Sequence, residues 1–201
     1  GGGGSDDTGD SGGTDVPGTG DLQAALFSDD ELPHFELIID DSAWEVLVAE
    51  TEYDRYHWVE ATFVYDGRRY PGVGVRTKGE NSWQNVTQKP SLKIKFDAYT
   101  DGARFRGLRE ITLNAMNDDA SMMHERIAYR LYRDAGVPAA RATHASLVIN
   151  DEPYGVYTHL ETVDKLMLGR WFEDDTGPLF EQHDVDFQDA YVPYFELEYG
   201  E

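Results

Sequence analysis

Gly155-Val156-Tyr157-Thr158-His159-Leu160-Glu161-Thr162-Val163-Asp164 and, upstream of it, Lys89-Pro90-Ser91-Leu92-Lys93-Ile94-Lys95-Phe96 decide how this chain is read. In the upstream stretch Leu92, Ile94 and Phe96 alternate with Lys93 and Lys95, the period of a half-buried strand. Lys93 and Lys95 share the polar face and are assigned to solvent, whereas Lys89 sits at the strand's entrance. The downstream stretch continues a strand that begins at Tyr154, leaves it at Glu161, and turns through Val163 and Asp164. A second helix is expected from Asp164 to Phe172.

Working outward, Ala145, Leu147 and Ile149 lead through Asn150-Asp151-Glu152 into the Tyr154–Leu160 strand, a hairpin signature. Val59, Ala61, Phe63 and Tyr65 alternate up to Asp66-Gly67, and Tyr70, Val73 and Val75 return, a second hairpin. Phe35, Leu37 and Ile39 mark an earlier strand, and Ile111 with Leu113 a later one. Ser42-Ala43-Trp44-Glu45 reads as a capping box opening a short helix with Trp44, Leu47 and Val48 inward. The principal helix is expected from Ser121 to about Asp134. Met123, Ile127 and Leu131 fall four apart along it, and Gly136 with Pro138 stops it. These elements predict an α+β domain: an antiparallel β-sheet of five or six strands with one principal helix packed on it.

Composition supports one such domain. Of 201 residues 40% are hydrophobic and 12% aromatic, and the net charge of −22 is concentrated at the ends. Residues 1–32 carry eight acids and residues 173–201 ten, with no Lys or Arg in either; the middle holds 21 acids against 17 bases. Acidic ends repel nucleic acid and anionic lipid, so neither is an expected partner. Nine glycines among residues 1–20 predict a disordered, acidic linker over residues 1–32, with the folded domain over 33–201. A Gly/Asp tether fits an extracellular or cell-envelope address, including a lipoprotein. The chain opens on Gly, which reads as a piece with more sequence upstream. It has no cysteine, which removes disulfides and thiolate metal sites. No apolar run approaches a transmembrane span. The Asp184-x-Asp186-x-x-Asp189 run lacks the glycine and distal glutamate of a calcium loop and reads as a solvated tail.

Four positions stand out for chemistry. Lys78 leaves a strand into a turn around Gly79 and Ser82, where N–H and ammonium donors can surround phosphate oxygens. Lys89 lies where that turn must return. Glu161, just past a strand end, either accepts a ribose hydroxyl or caps the following helix, and the backbone near Val163 can read a base edge. A lysine for phosphates and a backbone hinge for a base are what a nucleotide pocket of protein-kinase type requires. Glu125 on the principal helix is a candidate partner for the lysine, but a solvated glutamate fits its place away from the apolar stripe better.

Taken in order, Lys78-Gly79, Ser82-Trp83, Lys89-Pro90-Ser91 through Phe96-Asp97, Phe105-Arg106-Gly107-Leu108, Leu113-Asn114-Ala115, Asp119-Ala120-Ser121-Met122-Met123, Gly136-Val137-Pro138 and Tyr154-Gly155-Val156-Tyr157 to Asp164 resemble the CotH (spore coat protein H) kinase family, in the N-terminal half of its domain. The resemblance implies a fold like the N-lobe of an atypical protein kinase, with ATP and Mg or Mn as cofactors and a surface or coat-like protein as substrate. It implies Lys89 as the phosphate-binding lysine, Lys78 as an auxiliary contact, and Glu161 to Val163 as the hinge. The catalytic and metal aspartates of the family are expected beyond residue 201. His124 stands where the family usually has Arg, and Glu125 where it often has a neutral residue. Two rivals are a catalytically inactive CotH-like surface binding or assembly module, and a β-rich adhesion or carbohydrate-binding domain using Trp83, Tyr99 or Tyr154 as stacking platforms.

Overall fold

The computed structural model describes residues 22–181, 192–193 and 195–199. The terminal part of the expected linker and the Asp184–Asp189 run lie outside them. Seven strands close into a barrel: β1 (His34–Ile38), β2 (Val59–Tyr65), β3 (Arg68–Lys78), β4 (Ser91–Lys95), β5 (Glu110–Asn114), β6 (Ala142–Ile149) and β7 (Glu152–Glu161). Their order around the barrel is β1-β2-β3-β4-β5-β7-β6. The two expected hairpins are present, with Tyr65 opposite Arg68 and Ile149 opposite Glu152. A separate pair, β8 (Leu179–Glu181) and β9 (Glu196–Tyr199), runs antiparallel.

This corrects the α+β expectation and its likeness to a kinase N-lobe with a packed helix. The chain is mostly sheet, and the cause lies in β1. It pairs antiparallel with β2 on one edge and parallel with β6 on the other, Phe35 lying opposite both Tyr65 and Leu147. A sheet whose first strand finds a partner on each side has no edge left and closes on itself. The core then lies inside the barrel. Phe35, Phe63, Phe96 and Phe105 are buried there in tilted, edge-to-face and stacked ring contacts, joined by Leu37, Leu92, Ile94, Ile111 and Leu113.

A closed core needs no helix to cover it, and the three helices are short: α1 (Asp41–Ala49), α2 (His124–Asp134) and α3 (Lys165–Trp171). α1 begins at Asp41 without a side-chain cap, and of its three expected inward residues Leu47 is buried and Val48 exposed. α2 lies against the outside of β6 with its faces reversed. Glu125, Arg126, Tyr129 and Arg133 are the sheltered positions, whereas Met123, Ile127 and Leu131 are exposed. The outer barrel surface beneath it carries His144, whose Nδ1 meets the Arg126 guanidinium at 3.1 Å, so a polar helix face is what fits. Upstream of Pro33, a short 3-10 turn (Ala25–Phe27) buries Leu26 in the core, so packing starts within the stretch expected to be linker.

Candidate functional site: a polar groove on the outer face of the barrel

The strand period places one residue in two outside the barrel. On β3 these are Gly74, Arg76 and Lys78; on β4, Ser91, Lys93 and Lys95; on β5, Glu110, Thr112 and Asn114. Register aligns them into rows across the sheet. Lys78 lies opposite Ser91, Arg76 opposite Lys93, and Gly74 opposite Lys95. Lys93 lies opposite Thr112 and Lys95 opposite Glu110, and β7 continues the middle row with Leu160. The face is therefore a strip of cations edged by carboxylates and amides.

A cavity opens at each end of this strip. The larger, of about 320 Å³, is lined by Lys78, Gly79, Ser82, Ser91, Asn114 and Glu125, with Met116, Asn117, Asp118, Asp119 and His124 along its rim. The smaller, of about 160 Å³, is bounded by Lys93, Lys95, Arg109, Glu110, Thr162, Val163 and Asp164, with Leu179. Ser91 and Lys95 are four residue steps apart along β4, about 13 Å at the usual strand rise.

Lys78 is the best-placed cation. Its ammonium donates to Asn114 Oδ1 at 2.6 Å, and Asn114 Nδ2 donates to Glu125 Oε1 at 2.5 Å. Burial pulls the Lys78 ammonium below the usual lysine range, and the negative charge of Glu125 opposes that pull. Lys78 is thus the cation of a mixed-charge cavity, with Glu125 one amide away and Asp118 and Asp119 along the rim. Lys93 forms an ion pair with Glu110 at 3.2 Å and lies inside the strip rather than in open solvent. At the rim, the Asp119 carboxylate accepts from Ser121 and from the His124 amide, which holds it at about 2, below the usual carboxylate range, chiefly through the Ser121 bond.

The other expected site residues are placed differently. Lys89 lines neither cavity: its ammonium donates to the Val156 carbonyl at 2.8 Å and stands 5.0 Å above the Tyr157 ring. Glu161 is buried and fully engaged. Oε1 accepts from Arg141 Nη2 at 2.7 Å and Nε at 3.2 Å, Oε2 accepts from the Arg141 amide at 3.0 Å, and Arg170 Nη2 donates to Oε2 as well. The helix cap is instead Asp164, whose Oδ1 accepts from the Leu166 and Met167 amides. Val163 borders the smaller cavity. The structure thus brings Lys78 and Val163 to two ends of one face and leaves Lys89 and Glu161 off it. No local pattern links Asn114, Ser91 and Lys93; only the β3–β4–β5 register shows that Ser91 lies opposite Lys78, that Lys93 stands in the next outward row, and that Asn114 shares their face. Of the expected stacking platforms, Trp83 Nε1 donates to Thr77 and Tyr154 Oη to the Val86 carbonyl, both rings being half-buried, whereas Tyr99 is exposed with its Oη donating to the Trp58 carbonyl.

Among the described residues no three His, Asp or Glu side chains gather as a metal-binding set, and no helix is long and apolar enough to cross a membrane. The fold and the groove define a β-barrel domain with a polar, mixed-charge outer face. The sequence pattern of the family described as CotH kinase protein matches residues 75–198, well over half of the chain, and the chain belongs to that family. It is similar to the inner spore coat protein H-like protein of Bacillus subtilis (strain 168), 42% identical over 55 residues, covering 27% of this chain and 18% of that protein. It is also similar to the inner spore coat protein H of the same organism, 36% identical over 66 residues, 33% of this chain and 18% of the relative. The matched stretch therefore spans about a fifth of either relative.

Proposed function

We propose that this chain is the nucleotide-binding portion of a CotH-type protein kinase that transfers phosphate from ATP to protein hydroxyls. The observation that carries the reading is the cationic strip itself, with a glycine turn at one end and the Val163 backbone at the other. Its span of about 13 Å suits an extended nucleoside triphosphate. The phosphates lie against Lys78, Ser91 and the Gly79 turn, Lys93 meets the chain of phosphates midway, and the base sits by Val163. Such a cleft lowers the cost of gathering negative charge on the phosphoryl oxygens. Mg or Mn would supply further charge neutralisation at the phosphates; the described residues form no ligand set for it. The names of the relatives favour a coat or envelope address for the protein and a protein of that surface as acceptor.

The test is ATP affinity, by calorimetry or equilibrium dialysis, of the wild-type chain beside Lys78→Met, Lys93→Met and Lys89→Met. Lys78→Met and Lys93→Met should each weaken binding about tenfold or more, the scale of one charge-assisted hydrogen bond. Lys89→Met should change it less than twofold. A loss confined to Lys89→Met would reject the groove. Absence of ATP binding by the wild type would favour the second reading, an inactive CotH-like assembly module, to which the exposed Met123, Ile127 and Leu131 face of α2 gives separate support.

A further inference from the structure

The turn that carries Gly79 and Ser82 is held from behind by a segment of the chain that precedes β2. Tyr56 Oη donates to the Gly79 carbonyl, and Arg55 Nη1 donates to the Glu80 carbonyl at 3.2 Å. Two successive carbonyls of the turn are therefore drawn to one side. In a trans peptide the N–H of the next residue points the opposite way. The Glu80 and Asn81 amides are thus directed away from residues 55–56, and neither donates to an acceptor among the described residues.

The segment is itself built to hold that position. Tyr56 has a φ of +70°, a left-handed conformation that a bulky residue adopts only when its surroundings impose it. Its ring lies in a continuous ladder of cations and aromatic rings. The Arg55 guanidinium is 4.9 Å from the Tyr56 ring and 5.7 Å from Trp83, and Arg76 is 5.3 Å from Tyr56 and 5.2 Å from Trp58. Behind the ladder Glu50 is buried. Its Oε1 accepts from the His57 amide at 2.8 Å and its Oε2 from Thr77 Oγ1 at 2.6 Å, while Thr77 Oγ1 accepts from Trp83 Nε1 at 3.0 Å. One buried carboxylate thus ties the clamp, strand β3 and the far end of the turn together.

The geometry points to Tyr56 as a positioning residue: its hydroxyl fixes the Gly79 turn so that the turn's free amides receive phosphate oxygens. This rests on the reading of the groove as a nucleotide site. Gly79 and Ser82 of the turn line the cavity beside Lys78, so the position of the turn sets one wall of that cavity, and successive backbone N–H groups of a turn are the kind of donor array that takes anions.

The test is Tyr56→Phe in the full chain, which removes one oxygen and keeps the ring ladder. Hydrogen exchange should show the Trp83 amide, which donates to the Glu80 carbonyl at 3.4 Å, exchanging about tenfold faster, the equivalent of one lost hydrogen bond, with the barrel strands unchanged. Inorganic tripolyphosphate and ATP should each bind about tenfold more weakly, while adenosine binds as to wild type. A merely structural role would not separate phosphate-bearing from phosphate-free ligands. Arg55→Gln, which loses the bond to Glu80, should move both readouts the same way. If wild type binds ATP and Tyr56→Phe binds it equally, or if exchange at the Trp83 amide is unchanged, the clamp is overturned and the groove stands. If wild type binds neither ATP nor tripolyphosphate, the groove reading fails and takes this inference with it.

Discussion

Replacing Glu161 by Gln separates a structural carboxylate from a ligand-binding one. The side chain is 1% exposed and accepts from Arg141 and Arg170, whose side chains are 22% and 35% exposed. Arg141 also donates to Gln23 Oε1 at 2.5 Å and stacks 4.0 Å over Phe27. Glu161 therefore neutralises two guanidiniums and, through one of them, fastens the 3-10 turn to the barrel. Removing one partner of a buried pair costs about 3–5 kcal/mol because the remaining charge is left uncompensated. Both guanidiniums keep some solvent contact, which places this case at about 3 kcal/mol. For a domain of this size that corresponds to a fall in Tm of about 6–12 °C. Thermal melts followed by circular dichroism at neutral pH would measure it. The midpoint should drop by that amount, with any loss of ATP binding in proportion to the unfolded fraction. A Tm within 2 °C of wild type together with lost ATP binding would refute the structural role and return Glu161 to the nucleotide.

Four further substitutions probe the interior and the helix. His159 is completely buried, stacked 4.5 Å from Phe27 with Nδ1 toward the Leu26 carbonyl, and burial lowers its pKa from 6.5 to about 4. Between those values the unfolded chain takes up the proton and the folded one does not. Stability should therefore fall by about 3 kcal/mol as pH drops from 6.5 toward 4; denaturant titrations across that range should lose this component in His159→Phe, and an unchanged slope would reject a neutral buried imidazole. Ile127→Ala and Leu131→Ala should each change stability by less than about 0.5 kcal/mol because both side chains face solvent, whereas Leu113→Ala should cost about 2–5 kcal/mol. Equal losses in urea melts would mean that the apolar face of α2 is packed after all.

What the sequence disclosed depended on how local the cause was. The Asp66-Gly67 and Asn150-Asp151 turns fix their hairpins within a few residues, and both registers follow from turn chemistry. Barrel closure does not, because β1 meets β6 more than a hundred residues later, as when Phe35 pairs with Leu147. Alternation in Phe35, Leu37 and Ile39 shows one buried face and says nothing of how many neighbours the strand has. The stripe of Met123, Ile127 and Leu131 identified the apolar side of α2 correctly, but inferring that it faces inward assumed an apolar surface to receive it. The surface that receives the helix holds His144, and Asn114 bonds Glu125 from β5, two strands away. Lys89 stands at a strand entrance, where the path of the 79–88 loop decides which lysine turns toward the cavity. That loop is set by distant partners: Asn85 Nδ2 donates to the Val48 and Glu50 carbonyls at 3.0 Å, contacts that no local pattern encodes.

Closure of the sheet also assigns stability and chemistry to different sides of the same strands. Leu92 and Ile94 are buried inside, while Lys93 and Lys95 between and after them stand outside. The same holds for Ile111 and Leu113 against Glu110, Thr112 and Asn114. A register slip of one residue would drive lysines into an aromatic core and expose its hydrophobic side chains, an exchange so costly that the register is tightly fixed. The cationic strip inherits that rigidity without contributing to it. Groove lysines can then be exchanged with little effect on folding, while the carboxylates that hold the scaffold around them, Glu50 behind the Gly79 turn and Glu161 beneath the Val163 turn, cannot. Each buried glutamate stands behind the backbone at one end of the groove, so the spacing between the two ends is fixed by the barrel and not by the loops that line it.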